Sequence, residues 1–168
     1  MLAITPLQAS DLAEITAAVV ALGGYKPRTQ YERYLAEQDA GIRTCLVARS
    51  ETSIVGYVTI NWRPEYAPFR DEKIPEIQDF NVLPAWRRRG IGTRLMDEAE
   101  RIVFATRAPV VGIGFGLHHD YGAAQRLYVL RGYVPDGRGI TSHGRRANWG
   151  DAVKIDDDLV LYLCKVKS

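Results

Sequence analysis

The sequence predicts a mixed α/β fold whose sheet is largely antiparallel, and three observations carry that expectation. Short apolar runs rich in Val, Ile and aromatic residues recur along the chain, as strands require. Two segments, 10–22 and 93–106, instead repeat their apolar residues at helical spacing. Three successive strand candidates between residues 42 and 83 are joined by loops and not by helices. That order excludes a fully doubly-wound parallel sheet.

Residues 3–7 read as a first strand. Ser10 reads as an N-cap, before Leu12, Ile15, Ala18, Val19 and Leu22 at helical spacing, with Gly23 and Gly24 as the stop. A second helix is predicted over 27–37, with Tyr31, Tyr34 and Leu35 on one side. Strands over 42–48 and 54–62 are joined by the polar residues 50–53 into a hairpin. A charged, proline-broken loop covers 63–73, and a strand over 74–83 stops at Pro84. The helix over 93–106 carries Leu95, Ala99, Ile102 and Val103 on one face and Asp97, Glu98 and Arg101 on the other. An apolar strand over 110–117 has glycines at 112, 114 and 116, which suit close backbone approach. A helix over 123–130 ends at Gly132, and a strand begins at 133–134. A Gly/Arg-rich loop is expected over 135–151, and 159–166 is the final strand. The order is β-α-α-β-β-β-α-β-α-β-β, without repeats.

A chain of 168 residues fits one domain, 1–168. Hydrophobic residues make up 46% and charged residues 25%, as in soluble globular proteins. Twenty-two basic against twenty acidic residues leave a net charge of +2. That balance excludes a disordered polyelectrolyte and argues against a dedicated nucleic-acid binder. Cys45 and Cys164 lie in apolar runs and form no disulfide framework, so reduced thiols and a cytoplasmic home are expected. Asp11 and Glu14 interrupt the early apolar stretch, and 15–22 is too short to cross a bilayer, so neither a secretory signal nor a membrane span is expected.

The segment 76–96 carries the chemistry: a strand, a glycine turn, then a helix. Free N–H groups at a helix N-terminus, backed by its dipole, bind phosphate oxygens. Arg87, Arg88 and Arg89 add charge-assisted hydrogen bonds to the same anion. The Lys of a P-loop and the three glycines of a dinucleotide fold are both missing.

Arg87-x-x-Gly90-x-Gly92 resembles the Gln/Arg-x-x-Gly-x-Gly/Ala turn of the GNAT acyltransferases, and Val82 precedes Arg87 by the five residues that pattern expects. Ala124, Leu127, Tyr128, Gly132 and Tyr133 fall in register with a second stretch of that family, and Tyr121 stands at its asparagine position. The resemblance covers about residues 40–134 well. It implies a central, mixed, mostly antiparallel sheet of about six to seven strands, splayed in the middle, with helices on both faces.

The same resemblance implies that acetyl-CoA is the co-substrate and that no metal is used. Its pyrophosphate would lie on Arg87, Arg88, Arg89, Gly90, Ile91, Gly92 and Thr93, and its pantetheine arm along Phe80, Asn81 and Val82. Tyr121 and Ala124 would touch it from the second stretch, and Tyr128 would sit near the sulfur. A backbone N–H of the splayed strand would hold the oxyanion.

An amine acceptor is mostly ammonium at neutral pH, so its proton needs a base or a route to water. Glu76, six residues before Val82, matches the base position of the histone-acetylating branch, and a solvated strand-end carboxylate is the equal alternative. Asp79 is the rival, aimed by strand alternation to the opposite face. His118 and His119 are too directly adjacent for joint metal ligation and read as a polar connection. Tyr128 reads either as the acid or as packing.

The resulting expectation is an N-acetyltransferase moving acetyl from acetyl-CoA to a primary amine by direct attack in a ternary complex. The acceptor is a small molecule or a peptide, flanked by residues 63–73 and 135–151, with neither nucleic acid nor membrane as partner; a homodimer is common in the family. The alternative is a fold of the same kind that holds CoA without turnover.

Overall fold

The computed structural model describes residues 2–20, 26–51 and 53–167. Its strands are β1 (Ala3–Pro6), β2 (Arg43–Arg49), β3 (Ile54–Asn61), β4 (Glu76–Val82), β5 (Val110–Gly116), β6 (Val134–Ser142), β7 (Arg145–Arg146) and β8 (Leu159–Val166). All eight join one sheet in the order β1-β2-β3-β4-β5-β8-β6-β7. Only β4 and β5 pair in parallel; every other neighbour is antiparallel. The eighth strand, beyond the six to seven expected, is the two-residue β7.

Strand β3 is buried at all eight positions, because it has helices on both sides. On one face it packs beneath α1 (Leu12–Val20) and α2 (Arg28–Asp39), where Ile15, Val19, Tyr31 and Tyr34 meet Cys45, Val47 and Tyr57. On the other it packs beneath α4 (Ile91–Ala105) and α5 (Gly122–Leu130), where Leu95, Met96, Ala99, Val103 and Tyr128 meet Val58, Ile60, Ile113 and Phe115. Arg131 bolts α5 to α4 through Asp97 and the buried Glu100, and Lys165 of β8 reaches the same Glu100. Arg131 is thus a structural tie rather than a bare helix-end charge. No helix among the described residues is long and apolar enough to cross a membrane.

Several expectations are corrected. Ser10 is no N-cap: residues 9–11 form a 3-10 turn in which the Gln8 amide donates to Asp11 (2.8 Å). The predicted stop at Gly23 and Gly24 lies outside the described residues. The loop over 63–73 contains a short helix, α3 (Ala67–Asp71), which tolerates Pro68 because a proline in the first turn loses no hydrogen bond. The loop over 135–151 is largely β6 and β7. Gly137 and Gly139, at φ 82° and 78°, form an irregularity between Pro135 and Ile140 that disguises one strand as a turn. Both cysteines are free; Cys45 is buried and Cys164 is half-buried.

The three glycines of β5 admit aromatic rings to one face. A Cβ at Gly112 would lie 2.2 Å from the Phe69 ring of α3, one at Gly114 2.7 Å from Tyr162, and one at Gly116 2.7 Å from Tyr121. Tyr162 in turn stacks on Tyr66 at 3.6 Å between centroids, with Phe69 edge-on to both. Gly112→Ala should therefore cost about 1–3 kcal/mol by overpacking. In urea denaturation, Gly112→Ala combined with Phe69→Ala should be less destabilised than the two singles added together. Simple additivity would show that Phe69 is not what keeps residue 112 a glycine.

Candidate active site

Strands β4 and β5 pair only through Glu76–Gly112 and Ile77–Ile113, and then part. The expected splay is present. Opposite β3, the three steps from Gln78 to Asn81 match the two from Thr59 to Tyr57. The extra residue is a bulge at Asp79, whose φ of 48° is left-handed and strained for a non-glycine. The Leu83 amide donates to Val55 O, so the main-chain groups of Val82, one residue back, face away from β3. The Val82 carbonyl accepts Arg87 Nε (3.0 Å).

The turn after β4 delivers the chain to α4. Gly90, at φ 75°, makes the left-handed step into the helix. The first α4 amide with a helical acceptor is that of Arg94, on Gly90 O, which leaves those of Ile91, Gly92 and Thr93 without an acceptor among the described residues. Ile91 sends its side chain into the core, and Thr93 is exposed. Gly92 lies against β4: a Cβ there would sit 2.9 Å from the Phe80 ring. Arg87, Arg88 and Arg89 are exposed, and among the described residues none pairs with a carboxylate; Arg89 lies 5.0 Å over Trp86. Free amides and unpaired guanidiniums here converge on one anion-binding corner.

Tyr128 spans the gap. Its ring lies 6.4 Å from Phe80 of β4 and 6.0 Å from Phe115 of β5, one ring from each parted strand. Burial, with the Tyr121 phenol adding, pushes its hydroxyl well above the ordinary phenol range, so it is protonated at neutral pH. Ala124 packs on the same core. Tyr121 covers Gly116 on the opposite face, edge-on to His118 at 4.8 Å, while His118 bonds Asp157 (2.9 Å). No side chain caps α5.

The carboxylates do not lie as alternation predicts. Glu76 is 4% exposed and accepts a bond from Gln78 Nε2 (2.9 Å). Gln78 Oε1 accepts from Arg43 Nη1 (3.2 Å), and Arg43 lies 4.6 Å from the Tyr34 ring centroid. The Tyr34 hydroxyl donates to Asp79, which also takes the Lys26 ammonium. Glu76 and Asp79 therefore share the face under α2, because the bulge shifts the strand's alternation. Asn81 joins them there through Tyr57 (3.4 Å), so only its main chain can reach the turn side. Burial pushes the Glu76 carboxyl from 4.5 up to about 7, against the pull of Gln78 and Arg43.

The segments expected to flank an acceptor do meet. Tyr66 donates to Asp136 (2.8 Å), and Arg138 pairs with Glu72 and Asp136. Elsewhere, His143, Asp156 and Asp158 bring ligand-type atoms within 4.8 Å of one another, with the Lys154 ammonium already on Asp156.

A family model described as "Acetyltransferase (GNAT) family" matches residues 12–133. The chain belongs to the GNAT acetyltransferase family. A comparison with curated proteins finds no match. Solved structures with the same fold include an N-acetyltransferase from Staphylococcus aureus (TM-score 0.73, 14% identity, 99% of this chain and 98% of that one). Another is a ribosomal-protein-alanine N-acetyltransferase from Brucella melitensis (0.72, 17%, 98% and 99%). A third is a spermidine N-acetyltransferase from Vibrio cholerae in complex with CoA and spermine (0.70, 14%, 98% and 95%).

Around β4 the GNAT fold also gathers residues that the sequence did not mark as site residues. Gln78 shares a strand face with Glu76, a period-two relation that was readable. Lys26, Tyr34 and Arg43 carry no local signal, because only the tertiary fold brings them to β4.

The Glu76 shift makes a stability prediction. A carboxyl raised from 4.5 to about 7 binds its proton more tightly when folded, so its contribution is complete below pH 4.5 and is lost as pH rises through 7. Glu76→Gln removes that loss. Relative to the parent, the variant should gain stability, up to about 3 kcal/mol, between pH 4.5 and pH 8 in urea titrations. A difference that does not vary with pH would show that Glu76 is not proton-linked to folding.

Proposed function

We propose that this chain is an acetyl-CoA-dependent N-acetyltransferase whose amine acceptor attacks the thioester directly in a ternary complex. The observation that carries the reading is the parting of β4 from β5 at the same corner where the first α4 amides converge with three arginines that have no carboxylate partner among the described residues. A long, thin ligand with a phosphorylated end suits that layout. Pyrophosphate would take the Ile91, Gly92 and Thr93 amides and the guanidiniums of Arg87 to Arg89. The pantetheine arm would run along Phe80 to Val82 and displace Arg87 from the Val82 carbonyl. Tyr121, just before α5, and Ala124 within it would border the arm.

The amine would approach from the face under α2 and α3. A carboxylate poised near pH 7 suits proton removal at neutral pH, which favours Glu76, through water, over an Asp79 already engaged by Lys26 and Tyr34. As the C–S bond breaks, the sulfur leaves as thiolate, and the protonated Tyr128 hydroxyl can supply its proton. Relatives named for spermidine and for ribosomal-protein alanine support an amine acceptor. The reading takes residues 1–168 as one catalytic domain without a metal, in the cytoplasm, where its two free cysteines fit.

Calorimetry and turnover with an amine panel test this together. Gly90→Val and Gly92→Val should each weaken acetyl-CoA binding roughly 10–100-fold, the worth of one or two charge-assisted bonds. Tyr128→Phe should bind acetyl-CoA within a few-fold of the parent while turnover falls by roughly 10²–10⁴, the usual effect of a positioned acid. Glu76→Gln should lose the rise in kcat/KM near pH 7. Unchanged affinity in both glycine variants contradicts the cofactor assignment. Tight binding without turnover of any amine would favour a CoA-holding module.

A further inference from the structure

The Lys26–Asp79 pair belongs neither to the phosphate corner nor to the proton route through Glu76. Asp79 lies two residues past Ile77, where β4 last touches β5, and the bulge turns its carboxylate to the acceptor face. The Lys26 ammonium sits on that carboxylate and 5.6 Å from the centroid of the Tyr57 ring. The two side chains keep 28% and 31% exposure, so the pair lies at an opening and not in the core. Asp79 thus holds a primary amine at the edge of the splay, two residues past the last β4–β5 pair.

We propose that Lys26 is a self-acetylation site, at which the chain transfers one acetyl group from acetyl-CoA to its own Lys26 Nζ. This rests on the acetyl-CoA reading of the splay. The ammonium first gives one proton to water at the part-exposed edge of the pair. The neutral amine attacks the thioester carbonyl carbon, the C–N bond forms, and collapse breaks the C–S bond. The departing sulfur takes the Tyr128 proton, and the second amine proton also leaves through water, which restores Tyr128. The net change is acetyl-CoA and one lysine ammonium to CoA thiol, one acetyl-lysine and one released proton. A tethered amine held beside the thioester gains a high effective concentration over amines free in solution. Acetylation removes the Lys26 charge and leaves the Asp79 carboxylate to Tyr34 alone, open to a cationic acceptor.

The chain has five lysines, so the other four are internal references. The full-length protein is incubated with acetyl-CoA without an added amine and followed by intact-mass and peptide mass spectrometry. One acetyl group per chain is expected, on Lys26, at least roughly tenfold ahead of Lys73, Lys154, Lys165 and Lys167. The rate per chain should not depend on protein concentration. Lys26→Arg keeps a cation on Asp79 and should abolish the modification; Gly92→Val should slow it, as chemical acetylation in solution would not. Uniform labelling of all five lysines, or Lys26 labelling untouched by Gly92→Val, overturns the proposal. Acetyl-CoA binding by calorimetry with Lys26 left unmodified overturns this proposal alone, whereas absence of binding overturns the acetyl-CoA reading as well.

Discussion

Two parallel strands that separate inside a sheet leave main-chain donors and acceptors without ladder partners, and buried backbone groups must find partners elsewhere. Here β4 and β5 separate after Ile77–Ile113, and most of the site follows from that break. The α4 N-terminus, itself short of acceptors, lies at the end of the opened strand. Tyr128 bridges the gap from one side through Phe80 and Phe115, and Tyr121 lies over Gly116 on the other. The fold thus gathers main-chain groups without ladder partners in one place. A ligand with a polar, extended arm and an anionic end would suit them.

The same strand carries the two carboxylates, and burial separates their surroundings. Glu76 has little solvent and only partial compensation from Gln78 and Arg43, so its proton affinity rises. Asp79 is held by a cation and a phenol. A single-residue bulge brings both to one face. Without it Asp79 would point toward α4, and Lys26 and Tyr34 would have no carboxylate to meet.

Local chemistry made much of this legible in the sequence. The helix over 93–106, the hairpin of β2 and β3, and the strand 159–166 followed from periodicity and composition, and the turn from Arg87 to Gly92 from its glycines and charge. The glycines at 112, 114 and 116 announced close approach, although nothing local said that aromatic rings would fill it. Misses came where tertiary structure overrode local signals. Pro135, Gly137 and Gly139 imitate a loop within β6, yet pairing with β8 on either side of the two glycines keeps the segment one strand. The register at Asp79 depends on the partner strand β3, so its facing could not be read from β4 alone.

Amide hydrogen exchange with and without acetyl-CoA tests most directly whether the splay is the ligand's seat. Added acetyl-CoA should slow exchange of the main-chain amides of residues 79–82 and 88–93, with little change across β1, β2 and β7. Protection confined to other elements, or none at saturating ligand, would contradict the assignment of the parted strands as the binding site.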